Sequence, residues 1–232
     1  MKTKLGSRIR YRCLWYLMIS FLLTSSPAAP VLLAADQVVV VHSALNMLTA
    51  PLWVAKEMGF FHKYGLDVDL IYIPSGTLGM QALLGGETKI LAADGSSVIN
   101  SRLRGAPAKI FIGMVNFYPN PFYSTQDIKT PGDLRGKSIA VTRIGSSSYT
   151  ATVMLLKKFG LEEGRDYTVL QLGSTQNRLA ALTKGMINGT TLSAPESVMA
   201  RTAGMKVLVS GAEIAKLGIT IQHQSANTLE SA

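Results

Sequence analysis

Asp133–Gly160, DLRGKSIAVTRIGSSSYTATVMLLKKFG, decides the fold. Lys137–Thr142 is a short apolar run that predicts a buried strand, and it leads into Gly145-Ser146-Ser147-Ser148. A helical pattern follows, with Ala151, Met154 and Leu155 on one face and Gly160 placed to stop it after Lys157 and Lys158. A strand that feeds a glycine and hydroxyls into a helix start gathers unpaired backbone N–H groups at the positive end of the helix dipole. That arrangement suits an anionic or strongly polar small ligand. The same residues also make an ordinary cap and loop, so the stretch gains meaning only from what recurs elsewhere.

It does recur. Working outward, Val38–Val41 ends at His42-Ser43, and Asp67–Ile73 ends at Pro74-Ser75-Gly76-Thr77. Ile90–Ala93 ends at Asp94-Gly95-Ser96-Ser97, and Thr190–Leu192 ends at Ser193-Ala194-Pro195-Glu196. Each is followed by a helical pattern. The first of these runs from Pro51 to the stop at Gly59, with a further turn at Phe60–Tyr64. Ala108–Val115, Tyr167–Leu172 and Lys206–Val209 read as further strands, and Asn116–Ser124 as an irregular, aromatic-rich connector. Strand–helix alternation of this kind predicts an α/β fold with mainly parallel sheets. In open α/β sheets, ligands sit outside the carboxyl ends of the strands. Five polar strand ends therefore point to a small-molecule cleft.

The first 35 residues stand apart. Lys2, Lys4, Arg8, Arg10 and Arg12 form a basic segment, Leu14–Leu23 a short apolar core, and Ala34-Ala35 a small-residue site before Asp36. This is the plan of a secretory signal peptide, with an uncleaved N-terminal anchor as the alternative. Without those five basic residues the net charge falls from +9 to +4, and the remaining Lys and Arg are scattered. That removes the case for a nucleic-acid partner. Cys13, the only cysteine, leaves with the leader, so no disulfide or thiolate chemistry follows. About 197 residues remain, enough for two small domains with real cores.

Enzyme motifs are missing: there is no G-x-G-x-x-G and no phosphate-binding G-x-x-x-x-G-K-[ST], and Gly145–Tyr149 lacks the second glycine of a nucleophile elbow. His42, His62 and His223 have no metal-ligand spacing. No cofactor or metal is expected. Asp94 and Glu196 are the two acids of the constellation, each either a ligand contact or a turn and cap residue. Arg143 is the only cation near the serine loop, placed to face the cleft or to cover the strand end.

Several ordered segments carry a family resemblance. APLWVAKEMGFFHKYGLDVDL (Ala50–Leu70), PSGTLGMQALLGGE (Pro74–Glu87), ADGSSVINSRLRGAP (Ala93–Pro107), DLRGKSIAV (Asp133–Val141) and LSAPES (Leu192–Ser197) resemble the solute-binding proteins of ABC transporters. They are most similar to the nitrate, sulfonate, taurine and thiamine-pyrimidine-precursor group. The resemblance implies a two-lobed periplasmic-binding-protein (type II) fold that closes on its ligand by a hinge. The first lobe would span 36–123 and the second 124–217, with a return crossing and tail at 218–232. The ligand-facing positions map onto Ser43, Ser75, Gly76, Thr77, Gly95 and Ser96 in the first lobe. In the second they map onto Gly145, Ser146, Ser147, Ser148, Ser193, Pro195 and Glu196; Phe117 or Tyr118, in the connector, supplies either an aromatic wall or core packing against the hinge. The implied role is capture of a small polar or anionic solute in the periplasm, by a monomer that delivers it to the membrane subunits of an ABC importer. The alternatives are an enzyme of the pyrimidine-precursor-synthase type, whose cysteine-rich motif this chain lacks, and a ligand-sensing accessory domain. Relatives often carry an acid at Asn188, and they run on to complete the first lobe. With QSANTLESA read as a polar end and not a strand, the first lobe is expected to lack its C-terminal part and to leave apolar surface uncovered.

Overall fold

The computed structural model describes residues 35–115, 117–219 and 224–230. The predicted leader, apart from Ala35, and His223 lie outside the described residues. Among those described, no helix is long and apolar enough to cross a membrane.

The first lobe is built on β1 (Asp36–His42), β2 (Leu66–Tyr72), β3 (Ile90–Ala93) and β4 (Ala108–Val115). Helices α1 (Ala50–Glu57), α2 (Phe60–Lys63), α3 (Gly76–Leu84) and α4 (Gly95–Arg102) connect them. Gly59 adopts φ +69°, the left-handed conformation that ends α1 without a Cβ clash and lets α2 begin at once. The second lobe contains β5 (Phe122–Ser124), β6 (Lys137–Val141), α5 (Ser147–Lys158), β7 (Tyr167–Gln171) and α6 (Thr175–Thr183). It continues through β8 (Gly189–Thr191), α7 (Glu196–Thr202), β9 (Lys206–Val209) and α8 (Gly211–Lys216), and the chain then returns as β10 (Gln224–Leu229).

Both sheets follow one plan. The first has strand order β2-β1-β3-β10-β4 and the second β7-β6-β8-β5-β9. In each, three parallel strands are followed by one antiparallel strand that arrives from the other lobe: β10 pairs antiparallel with β3 and β4, and β5 with β8 and β9. The tail expected to be a polar end is therefore a strand. Ser225 and Asn227 are fully buried between β3 and β4, where Asn227 Nδ2 donates to Leu91 O and Ser225 Oγ to Ala93 O. Polar side chains that bond their neighbours' carbonyls can occupy a central strand, which is why QSANTL hid its structure. The connector likewise ends in β5, too short to stand out by pattern.

Period-two alternation puts successive residues on opposite faces. Phe122, Ile139 and Leu155 pack in one core of the second lobe, and Tyr123, Ala140 and Leu182 in the other. Val41 and Leu91 face α3 and α4 in the first lobe, while Val40 and Ala92 face α1 and α2. Along β4, Phe111 and Ile112 are about half exposed, at 47% and 51%, so the edge of the first sheet carries uncovered apolar surface.

Candidate functional site

Six strand ends and the inter-lobe connector converge on one cavity of about 70 Å³. From the first lobe come Ser43–Asn46 after β1, Tyr72 at the end of β2 with Pro74, Ser75 and Gly76 after it, and Asp94 after β3. The second lobe supplies Thr142 and Ser146–Ser148 after β6, Ser174, Thr175, Gln176 and Arg178 after β7, and Ser193 after β8. Tyr118 and Asn120 of the connector complete the wall.

Most of the serines at these ends cap helices. Ser75 Oγ accepts from Thr77 N at 3.1 Å, and Ser174 Oγ from Asn177 N at 3.3 Å. In the loop opened by Gly145 at φ +83°, Ser146 Oγ donates to Arg143 O and accepts from Tyr149 N. Ser148 Oγ accepts from Thr142 N at 2.9 Å. The bonds from Thr77 N, Asn177 N and Tyr149 N are helix caps, while those to Arg143 O and from Thr142 N tie the start of α5 to the end of β6.

Asp94 caps α4, accepting from Ser97 N at 3.0 Å, and is only 4% exposed. Burial pushes its carboxyl up to about 6, against the opposing pull of backbone N–H groups from Ser97, Asp94 itself, Ser147 and Ser96. Ser147 belongs to the second lobe, so the carboxyl of one lobe lies close to the helix start of the other. Next to it, Asn100 Nδ2 donates to Gly145 O across the lobes at 3.0 Å. Gly76 has to be glycine here, because a Cβ would come within 2.1 Å of Asp94 Oδ2.

Arg178, one turn into α6, is the only cation among the residues lining the cavity. It is 5% exposed. Its Nη1 donates to Thr190 Oγ1 at 3.0 Å and Thr191 O at 2.5 Å, and its Nη2 to Thr175 Oγ1 at 3.3 Å. Nε has no hydrogen-bond partner. Among the described residues no ion pair within bonding distance neutralises it, although Tyr118, Glu196 and Tyr72 lie near enough to oppose the downward push of burial on its pKa. Glu196 itself is buried behind Gln176, whose Nε2 donates to Glu196 Oε1 at 2.6 Å. Burial likewise raises the Tyr72 hydroxyl, with Glu196 adding to the shift and Arg178 opposing it.

Of the positions singled out from sequence, Ser43, Ser75, Gly76, Ser146, Ser147, Ser148 and Ser193 line the cavity. Thr77, Gly95, Ser96 and Gly145 lie beside it where the lobes meet, and Pro195 and Glu196 do not line it. Arg143, left between facing the cleft and covering the strand end, is exposed and outside the lining; the cation that lines the cavity is Arg178. Tyr118 lines the cavity with its hydroxyl 2.7 Å from Thr191 Oγ1 and also packs in a core of the second lobe, while Phe117 is half exposed. His42 is buried with Nδ1 2.8 Å from Ala44 O, edge-on to Trp53, outside the lining. Sequence reading missed the end of β7. Gly173-Ser174-Thr175 repeats the small-polar pattern of the other five ends, and Arg178 follows one helical turn later. Among the described residues no group of three or more His, Cys, Asp or Glu is placed to hold a metal.

The sequence profile of the NMT1/THI5 like family matches residues 46–225. The chain belongs to that family. Its two lobes have the fold of the periplasmic solute-binding proteins. A Bordetella bronchiseptica RB50 structure superposes with a TM-score of 0.74 at 22% identity, covering 84% of this chain and 64% of that one. The alkanesulfonate-binding protein SsuA of Xanthomonas axonopodis pv. citri, bound to MOPS, gives 0.70 at 20% identity, covering 84% and 66%. The periplasmic nitrate-binding protein NrtA of Synechocystis PCC 6803 gives 0.70 at 16% identity, covering 84% and 56%. The NMT1/THI5 like chain thus spans less than two-thirds of the length of each. No curated protein matches it in sequence.

Proposed function

We propose that the protein captures a small anionic solute in the cleft between its lobes and hands it to the membrane subunits of an ABC importer, working in the periplasm. The observation that carries this reading is Arg178: a buried guanidinium, the one cation among the residues lining a cavity whose other walls are mainly hydroxyl and amide groups, with the Asp94 carboxyl among them. A buried charge without a counter-ion is costly, and a bound anion removes that cost. The planar fork of arginine suits the oxygens of sulfonate, carboxylate or nitrate. The polar cavity of about 70 Å³ is of a size to hold a small anionic head group.

The solute would join the lobes, touching Arg178 and Ser193 from one side and Ser43 and Tyr72 from the other. Closure gains free energy from contacts that exist only when both lobes engage. No bond is made or broken in this scheme, and release to the importer is reopening. The sulfonate- and nitrate-binding neighbours support the same class of solute. The test is a thermal-shift titration of the purified protein with methanesulfonate, nitrate, acetate and a hydroxymethylpyrimidine. A ligand that binds only the folded state raises Tm progressively above its Kd. A concentration-dependent rise with one of the anions is expected; a rise with the pyrimidine alone would overturn the anion reading.

A further inference from the structure

The cavity holds an acid as well as a base, and the acid is already in use. Asp94 lines it, is nine-tenths buried, and sits where α4 of the first lobe meets the start of α5 in the second. Helix N-termini are the natural seats for anionic oxygens. Here the chain's own carboxylate has taken the seat on α4, which it caps through Ser97 N, and it lies near enough to the Ser147 N–H at the start of α5 to feel its pull. Gly76 packs against its other oxygen so closely that a methyl group would not fit. Arg178 is left as the only cationic group for a solute, with Glu196 behind it.

We infer that Asp94 sets the charge the cleft accepts: a solute places one negative charge at Arg178, and a dianion of the same shape is turned away. The inference rests on the reading of the cleft as an anion site, and goes beyond it by assigning selectivity to a named residue. The physical reason is a mismatch in charge. A monoanion at Arg178 leaves a paired site. A second negative charge finds no second cation in the lining and faces a buried carboxylate whose backbone donors are already engaged. Like charges brought together in a water-poor cavity cost several-fold more than on a surface.

Methanesulfonate and methylphosphonate separate these ideas because they share one shape and differ in charge at alkaline pH. Binding of each to the full protein would be measured by isothermal calorimetry at about pH 9.5, far enough above the second ionisation of an alkylphosphonate, which lies higher than that of a phosphate ester, for the dianion to dominate. The wild type is expected to bind methanesulfonate at least about a hundredfold more tightly than the methylphosphonate dianion. In Asp94→Asn, which keeps a strong helix cap, that ratio should shrink by about tenfold or more. Should this variant fail to fold, Asp94→Ser, also a good cap, carries the same comparison. Equal affinities in the wild type overturn the inference, as does a ratio unmoved in the folded variant. If neither methanesulfonate nor nitrate nor acetate binds at all, the anion reading itself falls and the charge rule with it.

Discussion

Replacing Arg178 by methionine separates folding from binding. The guanidinium makes three hydrogen bonds, to Thr190 Oγ1, Thr191 O and Thr175 Oγ1. Bonds to a charged group contribute about 1.5–3 kcal/mol each before desolvation is counted. Against them stands the cost of keeping the charge buried without an ion-pair partner, several kcal/mol by general experience. The two nearly offset, and methionine fills much of the same volume. Arg178→Met should therefore change folding stability by no more than about 2 kcal/mol, as read from urea titration. Anion affinity should respond very differently. Removing one partner of a buried charged contact costs about 2–5 kcal/mol, so methanesulfonate binding should weaken at least about 30-fold. Arg178→Lys keeps the charge but loses the fork, and should fall between. A folded Arg178→Met protein that binds methanesulfonate as tightly as the wild type would refute the assignment of Arg178 as the anion-holding residue.

Further outcomes follow from individual contacts. Gly189→Ala places a Cβ 2.6 Å from Phe122 Cζ and 3.1 Å from Ile139 Cδ1, so it should destabilise the second lobe by about 1–3 kcal/mol in urea titration. Gly76→Ala should displace Asp94, lower Tm and weaken methanesulfonate binding together. A second, apolar chamber of about 250 Å³ adjoins the polar cavity at Asn46, Asn120 and Ser193, walled by Met47, Leu48, Pro119, Pro121 and Leu192. Lengthening an n-alkyl sulfonate should therefore gain up to about 0.8 kcal/mol per methylene until the chamber fills, and a flat calorimetric series would show that the chain does not enter it. Asp94 makes stability depend on pH. Folded, its carboxyl holds its proton to about 6, against an ordinary 3.8, so between those values the native state binds more protons than the unfolded one. Stability from this group is then full below the lower value and is lost as pH climbs through the upper, by about 3 kcal/mol in all. Denaturation curves of Asp94→Asn from about pH 4 to 7 should lack that decline.

The architecture was legible because each parallel strand carries an apolar run and each ends in punctuation. Lys137–Val141 feeding Gly145–Ser148 is the clearest case, and the other parallel strands repeat it. What stayed hidden has physical reasons. Phe122–Ser124 and Gln224–Leu229 enter their sheets from the opposite lobe, so their stability comes from partners distant in sequence. The second also fills its central position with Ser225 and Asn227, whose polar groups bond strand carbonyls. Local patterns carry no trace of such long-range pairing. Asn188 is similarly local in appearance and structural in use: its Oδ1 accepts from Ser138 N across the sheet. At the site, the serine loops were found, but the charged residue was not. A helical arginine looks like a solvated surface group until the fold places Thr190 and Thr191 beneath it.

Helix caps and solute contacts draw on the same residue types, and the geometry divides the work between them. Ser75, Ser146, Ser148 and Ser174 spend their hydroxyls on backbone N–H groups and on one another. They contribute stiffness. Capping leaves the hydroxyls of neighbouring positions, such as Ser43, Ser147 and Ser193, as the ones suited to replace a solute's water. Asp94 stands between the two roles, because it caps its own helix and also touches the other lobe. With Asn100 on Gly145 it gives the closed arrangement a contact that needs no solute. Such a contact lowers the free energy that the solute must supply, and it lowers discrimination too unless the contact itself carries information. A carboxylate does carry it: the same group that draws the lobes together is the one that a second negative charge on the solute would have to face.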